Sequence, residues 1–502
     1  MNLYHPAKLA VALFALEIWG GGLLAQTIDS KSYDSVLLPT GQRQLFLDDY
    51  LVGHLYNVAR VIHPVQKYEG NPVIRADSPT DGPAIQIRSG PAWDEQERVW
   101  KIWYIASGGG HGCGFARSKD GIHWEKPALG LVERNGRKDN NLVMVKDDPK
   151  AFVQHVLLDP AAPPERRYKA VIGGNFRQPL VSADGYLFTP LDVPPIPSQD
   201  ESHLTWDNLQ KQYILTVKLR GPFGRAVFLS LSKDFEHWSN PELIYHADAQ
   251  DQILGAQHIR EVEANPRMQR PTVNHAEEYR TEIYNMPVFD YEGIYIGLPT
   301  YFEASAYIPS IKNQDGVSGT KLATSRDLRT WTRVGDRKHF IPLSEMGPGV
   351  LDTGQILAAS HPIRMGDELW FYYTGLKTRY NPDDQPDAGG IHLAKLRRDG
   401  FVSFNAGDEE GFLETRAVRF DGNHLYVNAD VRRGELRAEV MDAKGQNVLA
   451  GWSLDHCNPI AGDQLRAELR WAGHDLKELH GQHVRLRFHF KNADLYAFWP
   501  ES

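Results

Sequence analysis

Three acidic residues far apart in the chain, Asp200, Glu282 and Asp352, stand where strand-like runs of residues begin. One carboxylic acid can protonate a departing oxygen while a second carboxylate activates water or attacks the reacting carbon, and hydrolysis of a glycosidic bond requires such a pair. We expect mutual repulsion and partial burial to raise the pKa of one member of the set, which would separate the two roles. The alternative for each residue is that it caps a turn.

Polar and aromatic residues near the starts of similar runs are candidates for binding a substrate. They are Arg88, His155, Glu201, His203, Tyr284 and Tyr301. Aromatic rings stack on the apolar faces of sugars, with packing inside the protein as the alternative for each ring. Loop residues that can hold hydroxyls or anions, with a solvated surface role as the alternative, are Arg177, Arg220, Arg260, His258 and Arg379.

A short recurring phrase indicates how these residues are positioned. It begins with Ser and ends with an aromatic residue, with Asp two positions after the Ser, and its copies span residues 118–124, 182–188, 232–238 and 325–331, with a weaker copy at 396–401. An alternating apolar run before each copy, followed by a tight turn, is typical of one blade of a propeller. Five copies predict an all-β, five-bladed β-propeller, whose inner strands converge on an axis. The Asp of each full copy is assigned to the turn itself.

Composition changes divide the chain into four regions. Residues 1–25 predict a signal peptide, because a lysine precedes an apolar stretch; a buried helix or strand is the alternative. Residues 26–80 are predicted to be a leader that packs on the propeller, and residues 81–410 the propeller. Short alternating runs broken by glycines predict a β-sandwich over 411–502. No long helix is predicted, and the insertion at 251–278 is predicted to be a loop over one face.

Overall composition narrows the class of protein. The 502 residues carry a formal net charge of −9, and 41% of them are hydrophobic, which is typical of a folded chain of two or three domains. An acidic balance without a long basic run argues against nucleic acid and anionic membranes as partners. The two cysteines, Cys113 and Cys457, exclude a disulfide framework and a thiolate metal site. No cofactor or metal is predicted, and we expect a secreted or periplasmic protein without a membrane span after signal removal.

Several segments resemble known proteins. They are residues 116–124, Gln44-Leu-Phe-Leu-Asp-Asp-Tyr50, and residues 293–297, 366–373, 427–430 and 493–498. With acidic residues opening inner strands and a C-terminal sandwich, the chain resembles the five-bladed propeller glycosidases of the invertase/levanase-like and arabinanase-like families. More narrowly, it resembles exported bacterial proteins described as glycosyl hydrolase family 32-like. The resemblance implies a carbohydrate site, but the invertase sequences Asn-Asp-Pro-Asn-Gly, Arg-Asp-Pro and Glu-Cys are absent, so no catalytic role transfers.

Three functions remain open from the sequence. The first is an exported glycosidase in which Asp200, Glu282 and Asp352 share the acid, the base or nucleophile, and the stabilising roles. The second is a carbohydrate-binding protein without catalysis, and the third is a glycoside phosphorylase. A phosphorylase requires one carboxylic acid and a basic phosphate pocket in place of a second carboxylate.

Overall fold

The computed structural model describes residues 35–148, 153–380 and 386–502, and these ranges form an all-β protein with propeller-like sheets. The prediction of an all-β chain is therefore confirmed. The predicted signal peptide lies outside the described residues. No helix in the described part of the chain has the length and apolar character needed to cross a lipid bilayer.

Five short strands lie in the described part of the predicted leader. They are β1 (Val36–Leu37), β2 (Gln44–Leu45), β3 (Val52–Tyr56), β4 (Ala59–Ile62) and β5 (Gln66–Lys67).

The next part of the chain forms three successive sheets. The first sheet has β6 (Ala92–Asp94), β7 (Val99–Ala106) and β8 (Gly112–Ser118) in antiparallel order. The second has β9 (Met144–Val145), β10 (Val153–Leu158), β11 (Tyr168–Ile172), β12 (Phe176–Ser182), β13 (Leu187–Pro190) and β14 (Ile196–Pro197), with a 3-10 turn at Pro164–Arg166. The third has β15 (Ser202–Asp207), β16 (Gln212–Gly221), β17 (Gly224–Ser232) and β18 (Glu242–Tyr245).

One α-helix, α1 (Ala249–Ala264), lies in the insertion that was predicted to be a loop, so that prediction is wrong. Asp248 Oδ1 accepts a hydrogen bond from the Asp251 amide (2.9 Å), and Asp251 Oδ2 accepts one from the Asp248 amide (3.0 Å). This capping box satisfies backbone donors at the start of the helix. The apolar stripe of α1 is sparse and includes a glycine, Gly255, which explains why a period of 3.6 is hard to detect.

The next group of strands, which follows α1 in the chain, forms two sheets. They are β19 (Arg280–Asn285), β20 (Val288–Tyr291), β21 (Ile294–Gly297), β22 (Thr300–Ile308), β23 (Asn313–Thr320), β24 (Ala323–Ser325), β25 (Thr332–Arg333), β26 (Gln355–Ala358), β27 (Ile363–Met365), β28 (Glu368–Leu376) and β29 (Gly389–Arg397), with 3-10 turns at Ala276–Glu278 and Gly335–Arg337. Strands β20, β21, β24 and β25 form one sheet. Strands β19, β22 and β23 join β26, β28, β29 and β5 in another, in which β23 meets β26 in parallel.

The last strands belong to an eleven-stranded sheet. They are β30 (Val402–Ala406), β31 (Gly411–Thr415), β32 (Val418–Arg419), β33 (His424–Asp442), β34 (Ile460–Leu469), β35 (Val484–Lys491) and β36 (Ala493–Glu501), with a 3-10 turn at Leu476–Leu479. Strands β1 to β4 of the leader pair with this sheet, and β5 pairs with β29. The leader therefore contributes strands to two sheets. The predicted domain boundaries stay predictions.

The recurring phrase forms the expected turn. Ser118 Oγ donates to Asp120 Oδ1 (3.0 Å), and the same carboxylate oxygen accepts from the amides of Ile122 (2.9 Å) and His123 (2.8 Å). Equivalent bonds to backbone amides are made by Asp184, Asp234 and Asp327. The structural assignment of these four carboxylates is confirmed.

Successive sheets lie side by side, so that the starts of their first strands approach one another. Strand β10 packs beside β7 and β15, and β15 packs beside β20. After α1, the division of the strands into sheets does not follow the spacing of the recurring turns. The number of blades therefore stays a prediction. The same holds for the C-terminal sandwich, since leader strands and C-terminal strands share one sheet.

Candidate active site at the strand starts

A buried ion pair occupies the place where the first strands converge. Arg88 Nε lies 2.6 Å from Glu201 Oε2, and Arg88 Nη2 lies 2.6 Å from Glu201 Oε1. Asn285 Nδ2 donates a third bond to Glu201 (3.1 Å). Burial raises the pKa of Glu201, but Arg88 outweighs burial and brings this pKa down to about 2. The Glu201 carboxylate is therefore ionised, and both of its oxygens accept hydrogen bonds. This arrangement suits a residue that holds its neighbours in place more than one that donates a proton.

Two histidines lie next to this ion pair. The rings of His155 and His203 are 5.4 Å apart, and His203 Nδ1 donates to the Arg88 carbonyl (3.1 Å). Burial and the Arg88 charge lower the pKa of His203 to about 3, and burial also takes the pKa of His155 well below its ordinary value. Both rings are neutral at physiological pH. The four residues predicted at the axis from three separate strands are thus brought together.

Asp200 faces solvent beside this cluster. Its side chain is 66% exposed, and Lys218 Nζ, from the end of β16, lies 2.7 Å from its Oδ1. Lys218 is buried, and its Nζ lies 4.0 Å from the centre of the Tyr284 ring. The main chain at Asp200 is held by Gln154, whose Nε2 donates to the Asp200 carbonyl (2.7 Å). Asp200 is thus a positioned but accessible carboxylate.

Glu282 is held by two arginines. Arg225 Nη1 lies 2.6 Å from Glu282 Oε2, and Arg280 Nη2 lies 2.6 Å from Oε1. Only 2% of the Glu282 side chain is exposed. Gly224 has a φ of +99°, and a Cβ at that position would collide with Glu282 Oε1. Neither oxygen of Glu282 is free for a substrate in this arrangement.

Asp352 belongs to a separate cluster. Its Oδ2 accepts from Lys67 Nζ of β5 (2.6 Å) and from the Tyr373 hydroxyl (2.9 Å), and Lys67 also donates to Ser344 (2.7 Å). Burial raises the pKa of Asp352, but Lys67 outweighs it, so that this pKa lies below its ordinary value. The expectation of a raised carboxyl pKa is therefore not met at Asp352 or Glu201, because a cation rather than a second carboxylate faces each of them.

The two candidate aromatic residues differ in their surroundings. Tyr284 is nearly buried, and Arg225 and Arg379 lie 5.7 Å and 5.4 Å from its ring centre, in addition to Lys218. It stands between Asp200 and Glu282, since Lys218 and Arg225 link it to one carboxylate each. Tyr301 is fully buried, and its hydroxyl is 2.8 Å from that of Tyr245, beneath α1 rather than at the mouth.

A basic pocket of about 440 Å³ opens next to Asp200. It is lined by Gln199, Arg220, Arg225, Arg280, Glu282, Tyr307, Lys312, Asn313 and Gln314. Four cationic side chains face one carboxylate there. The side chains of Arg220 and Lys312 make no hydrogen bond or ion pair with other described residues. An anionic group is the ligand that such a lining attracts.

Some of these residues were missed from the sequence. Arg220 was a candidate for anion binding, but Lys218, Arg225, Arg280 and Lys312 were not. The sequence pattern that could have identified them lies at the end of β16, where a run of apolar residues is followed by the basic residues Lys218 and Arg220. Of the remaining loop candidates, Arg177 is buried and donates to Ser202 Oγ (2.6 Å) and the Gln199 carbonyl (2.7 Å), so it supports the mouth from inside.

Among the comparisons with known proteins, only the one with solved structures found similar proteins. No protein-family model matches the chain, and neither does any curated protein. Similar solved structures include a protein described as a glycoside hydrolase, with 17% identity, 66% of this chain and 92% of that chain covered, and a TM-score of 0.40. A Bombyx mori GH32 beta-fructofuranosidase has 9% identity, 85% and 95% coverage and a TM-score of 0.39. An N-acetylgalactosamine deacetylase from F. plautii has 13% identity, 69% and 96% coverage and a TM-score of 0.38.

The chain is thus structurally similar to glycoside hydrolases, as the sequence resemblance implies.

Proposed function

We propose that the chain is an exported carbohydrate-active enzyme that cleaves a glycosidic bond at the mouth formed by Asp200, Lys218 and Tyr284. The observation that supports this is the state of Asp200. Of the three candidate carboxylates it alone stays open to solvent, and its only ion-pair partner among the described residues is one buried lysine. An exposed carboxylate beside a cation suits a base that takes a proton from water, or a nucleophile.

Glu282 is the candidate for the second carboxyl group, across Tyr284 from Asp200. Arg225 and Arg280 occupy both of its oxygens before a substrate binds. An anionic substituent on the substrate, such as a carboxylate or sulfate, would compete for the same guanidinium groups and release Glu282, which would then take up a proton from solvent and donate it to the departing oxygen. The substrate class proposed here is therefore an acidic oligo- or polysaccharide.

The basic pocket favours one second candidate, phosphorolysis. A phosphorylase needs a carboxylic acid for the leaving oxygen, and phosphate takes the place of water. Arg220, Arg225, Arg280 and Lys312 form a lining of the charge that phosphate requires. In this reaction the phosphate oxygen forms the new bond to the anomeric carbon, and the departing sugar oxygen receives the proton.

Assays of the purified mature protein on neutral, uronate-containing and sulfated oligosaccharides, each with and without inorganic phosphate, test these proposals. Hydrolysis of an acidic substrate without phosphate supports the first proposal, and sugar phosphate formed only with phosphate supports the second. Asp200→Asn is expected to lower kcat by about 10²–10⁴-fold. Asp192→Asn removes another exposed carboxylate, away from the mouth residues, and serves as the matched control.

Two results would contradict the proposal. Full activity in Asp200→Asn would remove this residue from the mechanism. Binding of oligosaccharides without turnover on any substrate, with or without phosphate, would make the chain a binding protein.

We also propose the remaining parts of the predicted architecture. Four recurring turns, the weaker fifth copy in the sequence and the pairing of β5 with β29 support a ring of five blades closed by a leader strand, and the long pairing of β33 with β34, β35 and β36 supports a C-terminal sandwich. Export is proposed from the apolar segment in residues 1–25. N-terminal sequencing of the secreted protein tests it, since an intact Met1 would contradict cleavage.

A further inference from the structure

A partly buried set of two histidines and a glutamate lies at helix α1 and includes none of the mouth residues. The residues are His258 of α1, Glu303 of β22 and His339, which precedes the contact of Phe340 and Ile341 with Thr320. One potential ligand atom from each of the three lies within 4.8 Å of the other two. His258 Nδ1 and Glu303 Oε2 are hydrogen-bonded, and the rings of His258 and His339 are 4.7 Å apart.

This set leaves polar atoms without partners. Glu303 is 1% exposed, and its Oε1 has no hydrogen-bond partner among the described residues. His339 Nε2 is equally inaccessible and also lacks one. A buried carboxylate oxygen and a buried imidazole nitrogen without partners cost free energy unless a ligand satisfies them.

We propose that His258, Glu303 and His339 bind one divalent transition-metal ion, with Zn²⁺ as the best fit. Two imidazoles and one carboxylate are a recurring zinc ligand set, with the fourth position left to water. In a tetrahedral zinc site, ligand atoms about 2.0–2.2 Å from the metal stand about 3.3–3.6 Å apart. To share one ion, the hydrogen-bonded atoms of His258 and Glu303 would separate slightly, and ligand atoms that lie up to 4.8 Å apart would approach by about 1–1.5 Å at most.

The surrounding backbone makes room for this arrangement. A Cβ at Gly319 would lie 2.7 Å from His339 Cδ2, so glycine lets this ring approach β23 closely. A Cβ at Gly255 would overlap Thr281 Oγ1, so glycine also allows α1 to approach β19 and β22. A metal here would join the helix, the sheet and the segment before β26.

Glu303 supplies one negative charge to the set, and the neighbouring cation is Lys321, whose Nζ lies 4.2 Å from the centre of the Tyr301 ring. On binding, the metal displaces the proton shared by His258 and Glu303, and that proton passes to solvent.

Metal analysis of the full chain tests the proposal. The protein is stripped with a chelator, incubated with Zn²⁺ and dialysed, and bound zinc is measured by elemental analysis together with Tm. We expect about one zinc per chain and a higher Tm than that of the stripped protein. Glu303→Gln and His339→Gln are expected to lose at least nine-tenths of the zinc. His237→Ala is the matched control, because His237 also pairs with a carboxylate, Asp234 (2.7 Å), but is 88% exposed and has no third ligand.

A second measurement needs no variant, in case the substitutions prevent folding. Co²⁺ added to the stripped wild-type chain is expected to give visible absorption typical of a four- or five-coordinate site, and Zn²⁺ is expected to abolish it. Wild-type protein that retains no zinc and gives no such absorption would overturn the proposal. Equal zinc retention in the wild type, Glu303→Gln and His339→Gln would overturn it as well, by placing the metal elsewhere.

Discussion

Arg88 and Glu201 join two sheets that are separated in the chain by a third. Arg88 follows the bridge between Gln86 and Ile105 of β7, and Glu201 immediately precedes β15, while β10 to β13 lie between them in sequence. Both hydrogen bonds of the pair are 2.6 Å long, and both side chains are almost fully buried. The pair is thus a direct link between strand starts that converge.

Removing one partner of this pair is expected to destabilise the protein strongly. Glu201→Gln leaves the Arg88 charge buried without compensation, which costs about 3–5 kcal/mol. Urea unfolding monitored by circular dichroism measures the change. Asp139→Asn breaks the exposed Arg137–Asp139 pair and is the control, with no measurable change expected. Equal effects of the two substitutions would show that the buried pair is not a stabilising link.

The same carboxylate predicts a pH dependence. The pKa of Glu201 falls from 4.5 to about 2 in the folded protein, so its contribution is present above pH 4.5 and is lost as the pH falls toward 2. The contribution is about 3 kcal/mol at most. Unfolding free energies of the wild type and Glu201→Gln, measured across this window, are expected to converge as the pH falls. A constant difference between them would contradict the low pKa.

Gly255 of α1 is expected not to tolerate alanine. In an open helix, Gly→Ala stabilises by about 1 kcal/mol, but here the new Cβ would overlap Thr281 Oγ1. We expect Gly255→Ala to lower the free energy of unfolding, and Gly255→Ala with Thr281→Ala to recover part of the loss. Gly407→Ala is the control, because nothing lies within 4 Å of its Cβ position. A stabilised Gly255→Ala protein would mean that α1 does not approach β19 this closely.

The two cysteines are expected to be unreactive in the native protein. Cys113 and Cys457 are buried free thiols, and burial raises the pKa of Cys457 to about 11. A thiol reagent should therefore label neither cysteine before unfolding and both after it. Failure to label either thiol in denaturant without reductant would indicate a bridge between them.

The residues of the site that belong to short, contiguous sequence patterns could be predicted from the sequence. The Ser–Asp turns are read from contiguous residues, because the same few hydrogen bonds recur at each copy. The starts of the following strands then pointed to Arg88, His155, Glu201 and His203, which the structure brings together. Their roles toward a substrate stay predictions.

Which cation faces which carboxylate was not predictable. Lys67 and Asp352 are 285 positions apart, and Arg225 and Glu282 are 57 apart. Such pairs form only once the sheets are arranged, and they decide which carboxylate stays accessible. The set of His258, Glu303 and His339 was missed for the same reason, since three segments without a shared motif supply it.

The pairing of β5 with β29 has a consequence for how the chain reaches its native state. Residues 66–67 complete a sheet by pairing with β29, which lies more than 300 positions later in the chain, and the partners of β1 to β4 are likewise found among β30 to β36. A ribosome releases the early strands long before their partners exist, so the full set of pairings cannot close during synthesis. Contacts of such large sequence separation slow folding, so these sheets can close only after the C-terminal strands have been synthesised.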